Sequence, residues 1–228
     1  MRLYAITDRR LLPGTHESGR LSDAERDGLV RLAKEWAELG AEYVQLREKD
    51  LGQRELTDLA AAMIAAMGHS GSRPRLLVNA GAAGAAEAAR ATGAAGIHLP
   101  GRWHAEQVGT ARISGVVSVG CHSVGEVAVA RTAGADLALL SPIFQTASHP
   151  EARPLGVEAL TEAARTAAKM PVFALGGVNA ENAAACIAAG AAGVAGIRTF
   201  LTGDWTTVAQ KKEGTRLNRR TFDNCEEL

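Results

Sequence analysis

The stretch Ala91-Thr92-Gly93-Ala94-Ala95-Gly96-Ile97-His98-Leu99 joins the end of an amphipathic segment to a short apolar run through one glycine. A glycine at such a point ends a helix in the left-handed conformation, and the alanine after it leads into a strand. The same phrase recurs at Glu38-Leu39-Gly40-Ala41, Ala133-Gly134-Ala135 and Ala189-Gly190-Ala191. The repetition predicts helix–turn–strand units whose turns stabilise one end of the fold.

Short apolar runs of strand length occur along the whole chain. The eight predicted strands are Leu3–Ile6, Tyr43–Leu46, Arg75–Asn79, Gly96–Leu99, Gly115–Val119, Leu137–Leu140, Val172–Ala174 and Gly193–Ala195. Helical stretches separate them at Asp23–Leu39, Gln53–Met67, Gly84–Thr92, Ser123–Ala133, Gly156–Ala168, Ala180–Ala189 and, less clearly, Thr206–Lys212. Strands alternating with helices indicate a parallel sheet covered on both faces, and this number of units favours closure. The predicted fold class is α/β: a single (β/α)8 TIM barrel over residues 1–210, followed by a poorly ordered extension over 211–228.

Composition and charge limit the partners that are expected. The 228 residues carry no formal net charge at pH 7, and no Lys/Arg run precedes Lys211–Arg220, so neither nucleic acid nor an anionic membrane is an expected partner. The cysteines are widely spaced without a C-x-x-C pair, which favours a reducing compartment over a disulfide scaffold or a thiolate zinc site. The first residues form a strand instead of a signal peptide, and no uncharged apolar run is long enough to span a bilayer. We expect a cytoplasmic enzyme that acts on a small molecule.

Glycines follow the last two predicted strands, where a barrel brings its strand ends together at one mouth. Gly176 and Gly177 follow the seventh strand, and Gly196, Ile197 and Arg198 follow the eighth. Barrels commonly bind phosphate at these two loops through backbone N–H groups, because a side chain would hold the anion off. The alternative is that the glycines only turn the chain, but two such loops in succession favour phosphate.

Polar side chains alternate along the end of the second strand at Gln45, Arg47 and Lys49. Because alternate residues share a face, all three are expected to face the mouth and Glu48 to face away. A guanidinium fork and an ammonium suit an anionic ligand. A salt-bridged rim explains the same cluster equally well, so both interpretations stay open. Asn79 ends the third strand at the same mouth, and Arg9, which follows the first strand, is expected there as well.

His122 follows the fifth strand and precedes a helix, so its imidazole is expected in the mouth as a proton carrier. The alternative is a structural, hydrogen-bonded histidine. Cys121 beside it belongs to the opposite face and is expected to be a packed side chain, not a nucleophile. His98 ends the fourth strand in the interior or at the rim, and no histidine or acid spacing indicates a zinc site.

The run from Ser141 to Gly156 forms a long loop after the sixth strand. Long ordered loops in compact barrels are usually functional, so we predict a lid. His149 and Arg153 within it are candidates for reaching a bound phosphate, with a solvated loop tip as the alternative.

Together these residues resemble the thiamin phosphate synthase and TenI superfamily from Tyr4 to about Phe200. The resemblance rests on the order and spacing of several motifs. They are Tyr4-Ala5-Ile6-Thr7-Asp8-Arg9, Gln45-Leu46-Arg47-Glu48-Lys49, Gly96-Ile97-His98-Leu99, Ser118 to Ser123, Ser141-Pro142-Ile143-Phe144-Gln145-Thr146 and Ala174-Leu175-Gly176-Gly177-Val178.

The resemblance implies a comparison with the synthases, which join a pyrimidine pyrophosphate to a thiazole phosphate with Mg²⁺. The family's N-D-R pattern is Asn79-Ala80-Gly81 here, and Trp103 stands near the position of the second metal-side aspartate. His149 stands where the family places a lysine for pyrophosphate. These departures imply closer likeness to TenI-type members, some of which are thiazole tautomerases.

The expected activity is therefore thiazole tautomerisation without a cofactor or metal, in which His122 moves the proton. The resemblance and the spacing give these candidate substrate-binding residues: Gln45, Arg47, Lys49, Asn79, Thr146, His149, Gly156, Gly176, Gly177, Gly196, Ile197 and Arg198. One alternative is an Mg²⁺-dependent synthase that uses Asp8, Glu48 and Asp50, and the other is a non-catalytic thiazole phosphate or thiamin-binding regulator. Barrels of this kind often pair as homodimers, but no surface patch in the sequence decides this.

Overall fold

The computed structural model describes residues 1–14, 16–68, 74–112, 115–146 and 150–201, which form a closed parallel barrel with strand order β1 to β8. The strands are β1 Arg2–Ile6, β2 Tyr43–Leu46, β3 Arg75–Asn79, β4 Gly96–Leu99, β5 Val116–Cys121, β6 Leu137–Leu140, β7 Val172–Ala174 and β8 Gly193–Gly196. The helices are α1 Asp23–Glu38, α2 Gln53–Met67, α3 Ala85–Thr92, α4 Ala105–Ala111, α5 Val124–Ala133, α6 Gly156–Ala167, α7 Ala183–Ala188 and α8 Arg198–Leu201. The predicted TIM barrel is confirmed.

The sequence prediction differs from the structure mainly in the short elements. It missed α4 and α8, and it began β5 one residue early and ended it two residues early. The predicted helix Ala180–Ala189 is shorter, at Ala183–Ala188. The helix predicted at Thr206–Lys212 and the extension 211–228 lie outside the described residues.

The glycines that were predicted to end helices adopt the required conformation. Gly40, Gly93, Gly134 and Gly190 have φ values of 74°, 68°, 84° and 94°. This is the left-handed region, which costs a residue with a side chain about 1–2 kcal/mol. The repeated glycine phrase is thus a helix stop, and it fixes the turns at the N-terminal end of the barrel.

Aromatic rings and cations seal the barrel interior at that same end. The rings of Tyr4, Tyr43 and Phe173 contact one another with centroids 5.4–5.9 Å apart. The Arg2 guanidinium lies 5.1 Å from the Phe173 centroid, and the Arg75 guanidinium lies 4.4 Å from that of Tyr43. A ligand must therefore enter from the C-terminal ends of the strands. No helix in the described ranges has the length and apolarity needed to cross a bilayer.

Candidate active site at the barrel mouth

A buried row of polar side chains forms the floor of the mouth, above the aromatic layer. Asn79 on β3 is the register partner of His98 on β4, and His98 is the register partner of Ser118 on β5. Gln45 and Tyr4 extend the row across β2 and β1. We call Tyr4, Gln45, Asn79, His98 and Ser118 the polar floor. All five are buried, so their hydrogen bonds to one another hold them in fixed orientations.

Arg47 and Lys49 rise from the end of β2 beside this floor. Arg47 Nη1 lies 3.4 Å from Asp8 Oδ2, and Asp8 also pairs with Arg10 at 2.8 Å. The Lys49 ammonium makes no ion pair with any described residue, and its pKa is lowered by burial and by repulsion from Arg47. Two arginines therefore share the Asp8 carboxylate and Lys49 adds a further cation, which leaves positive charge for an anionic ligand. The interpretation as a salt-bridged rim is therefore correct for Arg47, which pairs with Asp8, but not for Lys49.

Arg9, which the sequence placed at the mouth, is instead a buried structural cation. Its side chain is 1% exposed and lies 3.3 Å from Glu25, 3.2 Å from Glu48 and 2.7 Å from Asp50. Glu48 faces away from the mouth, as predicted, and also accepts a hydrogen bond from Thr7 Oγ1 at 2.7 Å. These carboxylates hold the loops after β1 and β2 together.

His122 directly follows β5 at the mouth and is exposed. Its Nδ1 is 2.9 Å from the carbonyl oxygen of Ser141, and its backbone N–H donates to Glu126 at 2.7 Å. A carbonyl oxygen only accepts, so the Nδ1 atom carries the proton and Nε2 of the neutral ring is an acceptor. Nε2 lies so close to Gly101 that a Cβ there would overlap it.

Cys121, next to His122, points outward into the shell between strands and helices. It is fully buried, and burial, followed by the charge of Glu126, raises the pKa of its thiol to about 12. A protonated, enclosed thiol is a poor nucleophile. The prediction that Cys121 is a packed side chain is confirmed.

The glycine loop after β7 packs directly on the loop after β6. Gly176 and Gly177 have φ values of 91° and 66°, and a Cβ on Gly176 would lie 2.8 Å from Pro142. The N–H groups of both glycines donate to no other described residue. The glycines turn the chain, and their N–H groups are donors that no described residue occupies. The phosphate site predicted for this loop stays a prediction.

The loop after β8 joins this region through a side chain that the sequence did not single out. Thr199 Oγ1 donates to the carbonyl oxygen of Val178 at 2.8 Å, which ties the start of α8 to the loop after β7. Gly196 and Ile197 immediately precede α8, and Arg198 is its first residue. The two predicted phosphate loops therefore lie side by side.

The loop after β6 is fixed at its base. Gly156 N–H donates to Ile143 O at 3.0 Å and Leu155 N–H donates to Pro142 O at 2.9 Å, so the amide of Gly156 is used within the protein. Thr146 is half-buried on the same loop. His149 lies outside the described residues, and its contact with phosphate stays a prediction.

The described side chains do not form the carboxylate site that Mg²⁺ prefers. Ala80 and Gly81 contribute no acid, and the indole of Trp103 donates to the carbonyl oxygen of Gly120 at 2.7 Å. The acids offered by the synthase alternative are paired with arginines, as described above for Asp8, Glu48 and Asp50. Within the described ranges, no group of three His, Cys, Asp or Glu side chains has the arrangement of a metal site.

Replacing Gly177 with alanine is expected to weaken phosphate binding by at least about tenfold, a loss of about 1.4 kcal/mol. The new Cβ would overlap the carbonyl oxygen of Gln145 and lie 2.8 Å from Phe144 Cβ, so the loop must move. Isothermal titration with thiazole phosphate measures the change. Gly93→Ala is the matched control, because Gly93 has nearly the same φ of 68° but an added Cβ meets nothing within 4 Å. Equal affinities in the two variants would contradict the phosphate site.

The fold and the mouth together define a TIM-barrel enzyme whose site is built from the loops at the C-terminal ends of the strands. The chain belongs to the thiamine monophosphate synthase family, whose model matches residues 3–200. This is a family of thiamin biosynthesis. The expected superfamily is thus confirmed.

Individual relatives carry the synthase name. The chain is 37% identical over 202 residues to "Putative thiamine-phosphate synthase 2" of Aquifex aeolicus, covering 88% of this chain and 97% of the relative. It is 38% identical to "Thiamine-phosphate synthase" of Methanoculleus marisnigri, covering 91% and 92%. A solved "Thiamine phosphate pyrophosphorylase" of Pyrococcus furiosus matches with a TM-score of 0.73 and 26% identity, covering 92% of this chain and 94% of that one. These names favour the synthases over the TenI-type members expected from the missing acids.

Proposed function

We propose that this chain catalyses a proton transfer that aromatises a carboxylated thiazole phosphate, as thiazole tautomerases do. The observation that carries the proposal is the state of His122. Its Nδ1–H is held by the Ser141 carbonyl, and its Nε2 is left as an acceptor at the mouth. A neutral imidazole fixed in one tautomer is suited to general base catalysis.

The proton balance needs nothing beyond the substrate and this histidine. His122 Nε2 takes a proton from one carbon of the non-aromatic ring system, and the resulting imidazolium returns it at another carbon of the same molecule. Because the product is a tautomer of the substrate, no oxidant, reductant or leaving group takes part. Arg47 and Lys49 attract the carboxylate, and the loops carrying Gly177 and Arg198 bind the phosphate.

The second candidate is thiamin phosphate synthesis, in which the thiazole phosphate displaces pyrophosphate from a pyrimidine pyrophosphate. The names of the relatives favour it, and the chain retains Gln45, Arg47, Lys49 and Asn79 of the resemblance. The side-chain chemistry favours tautomerisation, because the acids near the mouth are paired with arginines. The third alternative, a non-catalytic thiazole phosphate or thiamin binder, keeps the same phosphate site.

Two assays on the same protein preparation separate the candidates. In the first assay, which monitors ultraviolet absorbance, we expect conversion of the carboxylated thiazole tautomer. In the second, which detects thiamin phosphate as fluorescent thiochrome, we expect no product with or without Mg²⁺. Magnesium-dependent thiochrome would replace the proposal with the synthase. Saturable binding of thiazole phosphate with no turnover in either assay would favour the third alternative, a non-catalytic binding protein.

A further inference from the structure

The hydrogen bonds of the polar floor have a direction that a backbone amide sets. Gly81 N–H donates to Asn79 Oδ1 at 2.9 Å, and a backbone N–H can only donate. Asn79 Nδ2 therefore faces Gln45, and since an amide NH₂ can only donate, it meets Gln45 Oε1 at 2.8 Å. Gln45 Nε2 in turn donates to Tyr4 Oη at 2.9 Å. The backbone N–H of Gly81 therefore sets the orientation of the side-chain amides of Asn79 and Gln45.

The same direction continues from Tyr4 to His98. Tyr4 Oη already accepts a hydrogen bond, so its own proton needs an acceptor, and among the described residues Ser118 Oγ lies within reach at 3.4 Å. Ser118 Oγ then donates its proton to His98 Nδ1 at 2.8 Å. If His98 Nδ1 donated instead, either the buried Tyr4 proton or the buried Ser118 proton would have no acceptor among the described residues, which folded proteins avoid.

His98 is thereby held in one tautomer. Its Nδ1 accepts, so the neutral ring carries its proton on Nε2. The ring is neutral because burial, and after it the charges of Arg47 and Lys49, lower the pKa of His98 to about 3. The Nε2–H makes no hydrogen bond to a described residue and lies 3.7 Å from where a Cβ on Gly120 would stand.

The Nε2 atoms of His98 and His122 both lie near the contact between Gly101 and Gly120. A Cβ on Gly101 would overlap His122 Nε2, and a Cβ on Gly120 would lie 3.2 Å from the backbone nitrogen of Gly101. His122 presents an acceptor nitrogen beside this contact, and His98 presents a donor. A side chain at Gly101 would cover His122 Nε2 and one at Gly120 would contact His98 Nε2, so glycine at these positions leaves both nitrogens uncovered by residues 101 and 120.

We propose that His98 is a fixed hydrogen-bond donor to the bound ligand, opposite the proton-accepting nitrogen of His122. The donor would meet a lone pair of the thiazole ring or its carboxylate, so the identity of the ligand rests on the proposed function. Tyr4 and Ser118 act through His98 and are positioning residues. Their substitution changes the state of His98 instead of removing a contact with the ligand.

Nitrogen-15 spectroscopy of the full chain labelled in histidine tests the tautomer. We expect the Nε2–H form alone for His98 at pH 7, and a mixture with the Nδ1–H form in Tyr4→Phe, because Ser118 then loses the proton donor that orients it. An Nδ1–H form in the unmodified chain, or an unchanged tautomer in Tyr4→Phe, would overturn the proposal. This measurement does not depend on turnover, so absence of tautomerase activity would sink the proposed function alone.

Binding of thiazole phosphate tests whether the donor is used. His98→Asn places its amide short of the Nε2 position, and we expect an affinity loss of about tenfold. His98→Gln carries an N–H further out and is expected to recover most of that loss. Inorganic phosphate should bind both variants as it binds the unmodified chain, which reports an intact phosphate site. Equal affinities for thiazole phosphate in all three proteins would show that His98 does not contact the ligand.

Discussion

Replacing His122 with asparagine is expected to lower kcat for the thiazole tautomer by about 10²–10⁴-fold, the range typical for loss of a general acid–base group. Asparagine can keep the hydrogen bond to the Ser141 carbonyl through its NH₂ group, but it supplies no basic nitrogen. The affinity for thiazole phosphate should stay within about twofold, because the phosphate loops after β7 and β8 are untouched. Stopped-flow absorbance with excess enzyme measures the chemical step directly.

His104→Asn is the matched control for that experiment. His104 is an exposed histidine at the start of α4, and asparagine is also favoured at a helix N-cap. The control should turn over substrate at the unmodified rate. Unchanged turnover in His122→Asn would remove His122 from the proton transfer and with it the proposed function.

The fold was predictable because its signals are local. Most of the longer helices are followed by a glycine such as Gly93 or Gly134, and each strand is a short apolar run, so the units can be counted directly along the chain. The missed helices lack those signals. Ala105–Ala111 is short and contains Gly109, while α8 has four residues and begins at Arg198 without a preceding polar cap.

The site was predictable only where strand alternation extends into the loop. Alternation placed Gln45, His122 and Glu48 on the correct faces. It failed at Arg9, because a 3₁₀ turn over Arg9–Leu11, capped by Asp8, begins three residues after the end of β1 and ends the alternation. Tyr4 was also missed, since an aromatic residue within a strand normally indicates apolar packing.

A cluster of three carboxylates around one arginine cannot be read from spacing at all. Glu25, Glu48 and Asp50 come from α1 and the loop after β2, and only the closed barrel brings them to Arg9. The charged residues after β2, Arg47 to Asp50, thus belong to two separate groups. Glu48 and Asp50 pair with Arg9 and hold the loops together, whereas Arg47 and Lys49 face the mouth.

Replacing Arg9 with methionine is expected to lower the free energy of unfolding by about 3–5 kcal/mol, the cost typical of removing one partner from a buried ion pair. Methionine fills similar space but leaves Glu48 and Glu25 buried without their cation. Urea denaturation followed by circular dichroism measures the loss. Arg31→Met is the control, because Arg31 lies exposed on α1 with Glu35 at 3.7 Å and should cost less than about 1 kcal/mol. An equal, small loss in both variants would show that the cluster contributes no stability.

The same comparison at acid pH separates charge pairing from packing. The hydrogen bonds from Arg9 lower the pKa of Asp50 below its ordinary value of 3.8. A lowered carboxyl pKa contributes stability that is complete above the unfolded value and is lost as the pH falls through the folded value. The unmodified chain should therefore lose this stabilisation below about pH 4, while Arg9→Met, in which Asp50 has lost the guanidinium that lowers its pKa most, should lose less. The stability difference between the two proteins should narrow from pH 7 to acid pH, whereas a difference due to lost packing alone would stay constant.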